Sequence, residues 1–540
     1  MHCTWKAPLA EVVAPSEGPP VLRSAATGIP YDATMSTTGS ALRPLLRLPS
    51  HIRIAIIGTG FSGLGAAIAL TGEGYGDDLI LLERRADVGG TWFDNSYPGC
   101  RCDVPSNLYS FSFAPNPHWS ETFSSQAEIE RYLQETARRR GVIDKVAFTT
   151  TLESASWDAG KRVWRLETTR GSFTADFLVG GGGGLSEPHV PDIPGASSFA
   201  GAAFHSAQWN HAHDLTGRKV AIIGTGASTI QFLPIVQKAA GHITLFQRTP
   251  AWVFPHRNRP TRWVERAAYR RMPWTQRMSR AREYWFAEAL LGSLLIHNSA
   301  KLRRLEALGK KYMARQVPDA DLRAKLTPTY TPGCKRLLQS NEYYPALQRP
   351  NVALETEKIV EIQPGGVVTA DGVLHEVDTI IYGTGFRITD NPMAEKIHDA
   401  DGRSLKDHWA DTGMQAYCGT TIPGFPNYFM LAGPNTGIGH TSLVVMIEAQ
   451  LAHVVGALRA LRAQGASVVD VRADTLARWS AELQRKAAPT VWNSGGCSSW
   501  YLDEAGRNTT LWPDYTFRFV RRTRTFDAED YVLTGPRMPS

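Results

Sequence analysis

Cysteine is scarce. Cys3, Cys100, Cys102, Cys334, Cys418 and Cys497 are the whole complement of a 540-residue chain. None of them forms the paired spacing that structural zinc sites use, so no metal is expected. Cys100 and Cys102 stand too close for an ordinary disulfide, and the set reads as the reduced thiols of a cytoplasmic protein. Long apolar runs are missing too. The longest, ALLGSLLI at 289–296, is far too short to span a bilayer, which predicts no transmembrane segment. The opening MHCTWKAPLAEVVAPSEGPP has no apolar core followed by a cleavage site, which predicts no secretory signal. Charge of one sign is not concentrated. The net charge of +7 is mild for this length and its positives are spread. A nucleic-acid partner would want a basic stripe, so none is expected; anionic small ligands fit the balance.

What is present is an ordinary globular composition with length for two or more domains. Residues 1–50 are rich in Pro, Ala, Ser and Thr without a sustained period, and read as a flexible extension. Met35 within it is a candidate native start. From there the pattern changes. IRIAII at 52–57 is a continuous apolar run, as buried parallel strands are. It leads into GTGFSG and a helical pattern, then a second strand LILLER at 79–84. A similar unit begins at KVAIIGTGAST (219–229) and reaches HITLFQR (242–248). The class predicted is α/β with two Rossmann-like units. Residues 260–320 read as basic amphipathic helices, RWVERAAYRRM and AKLRRLEALGKKYMARQ among them. A solvated helical face explains them; a membrane-surface role is the alternative.

The glycines carry chemistry. Gly58, Gly60 and Gly63, with Phe61 and Ser62 between, form G-x-G-x-x-G after a strand and before a helix. The first makes the turn, the second admits a pyrophosphate, and the third lets helix and strand close up. Glu83 ends the next strand, where an acid accepts from a ribose hydroxyl and disfavours a 2′-phosphate. This site suits FAD or NAD. The second unit keeps Gly224 and Gly226, followed by Ser228, but has Thr229 at the third place. Its second strand runs into Gln247, Arg248 and Thr249, with no acid. An arginine there pairs with a 2′-phosphate, which predicts NADPH. One flavin and one nicotinamide in a chain imply hydride transfer between them. The final acceptor is oxygen or, in a disulfide reductase, a cysteine pair, for which Cys100 and Cys102 are the candidates.

Between the units lies FAGAAFHSAQWN (199–210), with Gly201, His205 and Trp209 four residues apart. With these motifs the chain resembles the Baeyer–Villiger monooxygenases, whose fingerprint is FxGxxxHxxxW followed by Pro or Asp. Asn210 departs at that last place. Flavin monooxygenases that oxidise nitrogen or sulfur share the fingerprint but usually carry Tyr or Phe where Trp209 stands. The resemblance covers about residues 50–530 and implies a domain-coupling role for Gly201, His205 and Trp209. It makes GGTWFDNSYPGCRCDVPSNLYSFSF (89–113) a flavin-side segment, with Gly90, Thr91, Trp92, Asp103 and Tyr109 near the cofactor. It places a catalytic arginine at Arg336 in GCKRLLQSNEYY (333–344), with Asp103 holding or tuning it. Lys335 would join Arg248 at the 2′-phosphate, and Trp500 in GGCSSWY would face nicotinamide ribose and substrate.

The resemblance implies an FAD domain of 51–190 with 381–540, and an NADPH domain of 191–380 holding a helical insertion at about 260–325. The implied reaction uses NADPH, FAD and O2. Reduced flavin forms a C4a-peroxide that attacks a ketone and yields an ester or lactone. N- or S-oxygenation and a non-oxygenating NADPH-linked reductase are the alternatives. LDEAGRNTTLWPDYTF, after Trp500, departs from the cyclic-ketone enzymes, so the ketone is left open.

Overall fold

The computed structural model describes residues 46–297 and 301–536. The extension expected over 1–50 lies outside the described residues except for 46–50, and so do Met35 and Cys3.

Two parallel sheets organise the chain. In the first, strand His51–Ile57 lies between Leu79–Leu82 and Gly171–Gly180, all parallel. Val146–Ala147 extends one side, and Tyr428–Met430 adds to the far end of Gly171–Gly180. The continuous apolar run of the central strand has a direct cause. Ile54 and Ile56 enter one core, beneath helix Phe61–Leu70, while Ala55 and Ile57 enter a second with Trp157 and Trp164. Over 54–57 both faces are covered, so no position there is left for a polar residue, and the strand's His51 and Arg53 fall before that stretch. An antiparallel meander, Leu152–Asp158 and Val163–Thr168, joins the first half of Gly171–Gly180.

The second sheet has five parallel strands, in the order Val352–Glu355, His242–Phe246, Lys219–Ile223, Thr379–Tyr382 and Ala202–His205. Strand order reverses around Lys219–Ile223 here and around His51–Ile57 in the first sheet. Each glycine loop therefore leaves a strand at a switch point, where open α/β sheets bind ligands. The chain crosses between the sheets twice. The crossings run side by side, with the His189 amide donating to the Gly385 carbonyl at 2.8 Å and the Arg387 amide to the Glu187 carbonyl at 2.9 Å.

Helices do occupy 260–326: Trp263–Arg271, Pro273–Ala287, Ser293–His297, Lys301–Gln316 and Ala320–Leu326. The most apolar long element lies elsewhere. Helix Leu443–Gln464 has the length and composition to cross a membrane. It packs instead against Phe61–Leu70 and Thr516–Thr523, burying Met446, Ile447, Leu451, Val454 and Leu458.

Candidate active site at the junction of two nucleotide loops

The first loop is shaped by missing side chains. Gly58 has φ +85°, and a Cβ on Gly63 would lie 1.8 Å from the Gly58 carbonyl oxygen. A Cβ on Gly90 would lie 2.8 Å from the Gly60 Cα. The loop and the start of helix Thr91–Asp94 thus approach each other as bare backbone, leaving a cradle that fits a pyrophosphate. Phe61 meets the Tyr109 ring at 5.0 Å, and the Trp92 indole N–H donates to the Tyr109 hydroxyl at 3.2 Å. Ser62 is buried in the same turn. Glu83 is buried and accepts from the Thr59 amide (3.0 Å), the Thr59 hydroxyl (2.5 Å) and the Arg85 amide (2.8 Å). Its carboxylate is thereby fixed at the strand end beside the loop.

The second loop answers the missing third glycine. Gly224 has φ +104°, with a Cβ site 2.5 Å from the Gly383 carbonyl oxygen. Thr229 is fully buried, and a Cβ on Gly383 would lie 2.1 Å from its hydroxyl. The room that Thr229 takes is given up by Gly383 at the end of the neighbouring strand. Gly226 caps helix Ala227–Ala239, and the Thr225 hydroxyl donates to the Thr249 carbonyl at 3.1 Å. Arg248 stands exposed beyond strand His242–Phe246. Lys335 lies over the Tyr330 ring at 5.4 Å. Burial, and then the charge of Arg248, push its ammonium below the usual lysine value. Neither cation has a carboxylate partner among the described residues. Two unpaired cations together are a site for a dianion.

Arg336 and Asp103 meet though 233 residues apart, with the Asp103 charge felt both by Tyr109, which packs on Phe61 of the first loop, and by Tyr97, which bonds Ser228 after the second. Arg336 Nε donates to Asp103 Oδ2 at 2.5 Å, and Nη2 donates to Oδ1 at 2.7 Å. The Asp103 charge, working against desolvation, raises the guanidinium above its usual range. Burial alone would raise the Asp103 carboxyl, but Arg336 wins and holds it below the usual carboxylate range. Two-point pairing leaves the guanidinium charged, with its plane fixed, and Nη1 is not used in this pair. Tyr501, which the sequence reading missed, is buried against the pair; burial raises its hydroxyl to about 12, and Arg336 opposes that rise. Trp500 beside it is 47% exposed, its ring 4.4 Å from that of Tyr501.

Gln231, also missed, ties the helix after the second loop to the 97–101 segment. Its side-chain oxygen accepts from the Tyr97 hydroxyl at 3.0 Å, and its amide donates to the Arg101 carbonyl at 3.1 Å. Ser228 bonds Tyr97 from the same helix. In the linker, a Cβ on Gly201 would lie 2.1 Å from the Asp378 carbonyl oxygen. His205 ends strand Ala202–His205, is buried, and accepts at Nδ1 from the Ala207 amide at 3.1 Å. Burial lowers its pKa to about 4, opposed by the Gly385 backbone. The ring faces Phe386 on the return crossing at 5.8 Å. Trp209 packs on Phe232 of helix Ala227–Ala239 at 5.3 Å.

The cysteines need a correction. Cys334 and Cys497 form a disulfide across 163 residues, so the set is not wholly reduced, and Cys100 and Cys102 are not the only candidate pair. The partners are too far apart in sequence for spacing to reveal them. The bond ties the loop before Lys335 and Arg336 to the segment that carries Trp500 and Tyr501. Cys100 and Cys102 are free and buried, and burial raises the Cys100 thiol to about 12 and the Cys102 thiol further. Their burial works against the thiolate that disulfide exchange needs.

Residues 55–283 match the family described as pyridine nucleotide-disulphide oxidoreductase. A Baeyer–Villiger monooxygenase of Streptomyces coelicolor is 47% identical over 90% of this chain and 93% of its own length. One from Pseudomonas aeruginosa is 45% identical over 90% and 92%. The crystal structure of OTEMO in complex with FAD and NADP superposes with a TM-score of 0.80 at 27% identity, over 89% of this chain and 99% of that one. With two glycine loops on two parallel sheets and an arginine–aspartate pair between them, the chain belongs to the Baeyer–Villiger monooxygenases.

Proposed function

We propose that this protein is an FAD- and NADPH-dependent monooxygenase that inserts one oxygen atom of O2 beside a ketone carbonyl, giving an ester or lactone. The first sheet's loop, with Gly58, Gly60, Gly63, Gly90 and Glu83, would hold FAD. The second, with Gly224, Gly226, Arg248 and Lys335, would hold NADPH. When bound, these groups supply hydride transfer and oxygen activation. The chain's part is electrostatic. The observation that carries the reading is Arg336 held in plane by Asp103 where the two nucleotide loops converge. A guanidinium fixed and charged before the reaction stabilises negative charge as it develops on oxygen, at no reorganisation cost. Asp103 positions that group and keeps it protonated. Trp500 and Tyr501 would line the substrate side, and the burial of Cys100 and Cys102 argues against that pair serving a disulfide reductase. A cytoplasmic setting, where NADPH is regenerated, belongs to the same proposal.

The test is turnover of linear, cyclic and aryl ketones and one thioether, with products read by mass. An ester or lactone one oxygen heavier than its ketone supports the reading; sulfoxide alone would overturn it. Arg336→Ala should leave flavin reduction by NADPH intact while product formation falls on the order of 10²–10³-fold. Unchanged ketone turnover in that variant would remove Arg336 from the role.

A further inference from the structure

Helix Pro273–Ala287 is amphipathic in reverse. Its inward face is polar. Gln276 is buried, and its amide donates to the Asn107 side chain at 3.0 Å and the Asn116 carbonyl at 2.7 Å. Arg280 Nη1 donates to the carbonyls of Asn107 and Ser110, both at 2.7 Å. Glu283 turns inward beside Asn107, and Glu288, just after the helix, is buried with His440. The outward face is apolar. Trp274, Met278 and Trp285 recur at helical spacing, with Phe286 and Leu290 beside them, and all are exposed, Phe286 at 65% and Met278 at 61%. The preceding helix, Trp263–Arg271, adds Val264 and Trp263, the latter 74% exposed. A helix facing water would bury the tryptophans and expose Arg280 and Glu283. This one is fixed the other way round by polar contacts to the 107–116 loop.

The charge on the same surface has one sign. Arg262, Arg270, Arg271, Arg277 and Arg282 are exposed along these two helices. The one acid on the outward side, Glu265, is held by Arg259 at 2.7 and 2.8 Å. Apolar rings flanked by arginines match a bilayer surface: tryptophans seat at the headgroup level and guanidinium groups meet lipid phosphates. A second copy docked on this face by a two-fold axis would set the arginines against their own images.

We infer that the helix pair 263–290 docks on anionic membrane surfaces, with Trp263, Trp274, Trp285 and Phe286 entering the headgroup layer. The test uses the full chain with FAD bound and vesicles of phosphatidylcholine, alone or with about one-third phosphatidylglycerol, enough to set a negative surface potential. The protein should sediment with the anionic vesicles and not the neutral ones, with a blue shift of tryptophan emission, and salt should release it. Trp274→Ser/Trp285→Ser/Phe286→Ser should abolish binding while turnover of a water-soluble ketone stays unchanged. Should that variant misfold, Arg277→Gln/Arg282→Gln keeps the apolar face and should weaken binding about 25-fold, from about fivefold per arginine near the surface. No sedimentation with either vesicle, or binding indifferent to lipid charge, would overturn the inference. So would a wild-type dimer, by light scattering, that the triple variant dissociates while neither protein binds vesicles; that result would assign the face to a second copy.

Discussion

Replacing Arg248 with alanine should separate the two nicotinamide cofactors. Arg248 and Lys335 are close enough for one to depress the other, and among the described residues neither has a carboxylate to answer it. A 2′-phosphate would satisfy both. Charge-assisted hydrogen bonds of this kind are worth about 1.5–3 kcal/mol, so the variant should bind NADPH roughly 10- to 150-fold more weakly. NADH lacks the phosphate and should bind as before. Lys335 also carries a pH signature. Its ammonium loses its proton at a lower pH than an ordinary lysine, so NADPH affinity should decline with rising pH earlier than an ordinary lysine would allow. Without Arg248 one of the two downward pushes is gone, and that limb should move to higher pH. Burial, the larger cause, remains, so it should not return to the ordinary value. Calorimetric titration of both cofactors across pH reads all of this. Equal losses for NADH and NADPH, or an unmoved alkaline limb, would refute the reasoning.

Gly383→Ala should destabilise the protein by about 1–3 kcal/mol through overpacking, and adding Thr229→Ala should restore most of the loss, since the Thr229 hydroxyl is what the new Cβ meets; melting temperatures of the single and double variants decide it. A non-reducing peptide map should yield the Cys334 and Cys497 peptides as one mass, and Cys497→Ser should lower stability by up to about 5 kcal/mol, the loop-closure value for so long a loop. His205 and His453 are buried with pKa lowered to about 4. On unfolding they take up protons below their usual 6.5, so their stabilisation is full above that pH and is lost as pH falls towards 4, by at most about 3 kcal/mol each. Asp470, raised to about 6 by burial, acts in the opposite sense, stabilising below 3.8 and losing that contribution as pH rises through 6, so it offsets one histidine. His453→Gln should flatten the fall of melting temperature between pH 7 and 4.5; an unchanged slope would show that His453 titrates normally.

The glycine loops were legible in the sequence because their requirements are local. A strand, a turn without side chains and a helix lie within one short unit, so the pattern states the geometry. The Arg336–Asp103 pair was not legible in that way. Its members come from segments 233 residues apart, and only the family resemblance brought them together. The same holds for Cys334 and Cys497, which no spacing links. Thr229 looked like a defect in the second loop, because its compensation, Gly383, stands on another strand. The basic helices were found, but periodicity reports which residues share a face and not which face turns inward. Along Pro273–Ala287 the rule that apolar residues turn inward fails, because Gln276 and Arg280 find carbonyl partners on the 107–116 loop.

The paired crossings between the sheets have a mechanical meaning. One strand of chain between two bodies is a swivel, free to turn in any direction. Two strands laid edge to edge and stitched at 187–189 and 385–387 make a strap hinge. Sliding one sheet along the other would tear the stitches; folding about the strap would leave them whole. Of the two, opening and closing about one line is the motion these crossings would permit, while the Cys334–Cys497 bond and the contacts of Gln276 and Arg280 with the 107–116 loop add ties of their own. His205 is seated against Phe386 on that line, its ring 5.8 Å away.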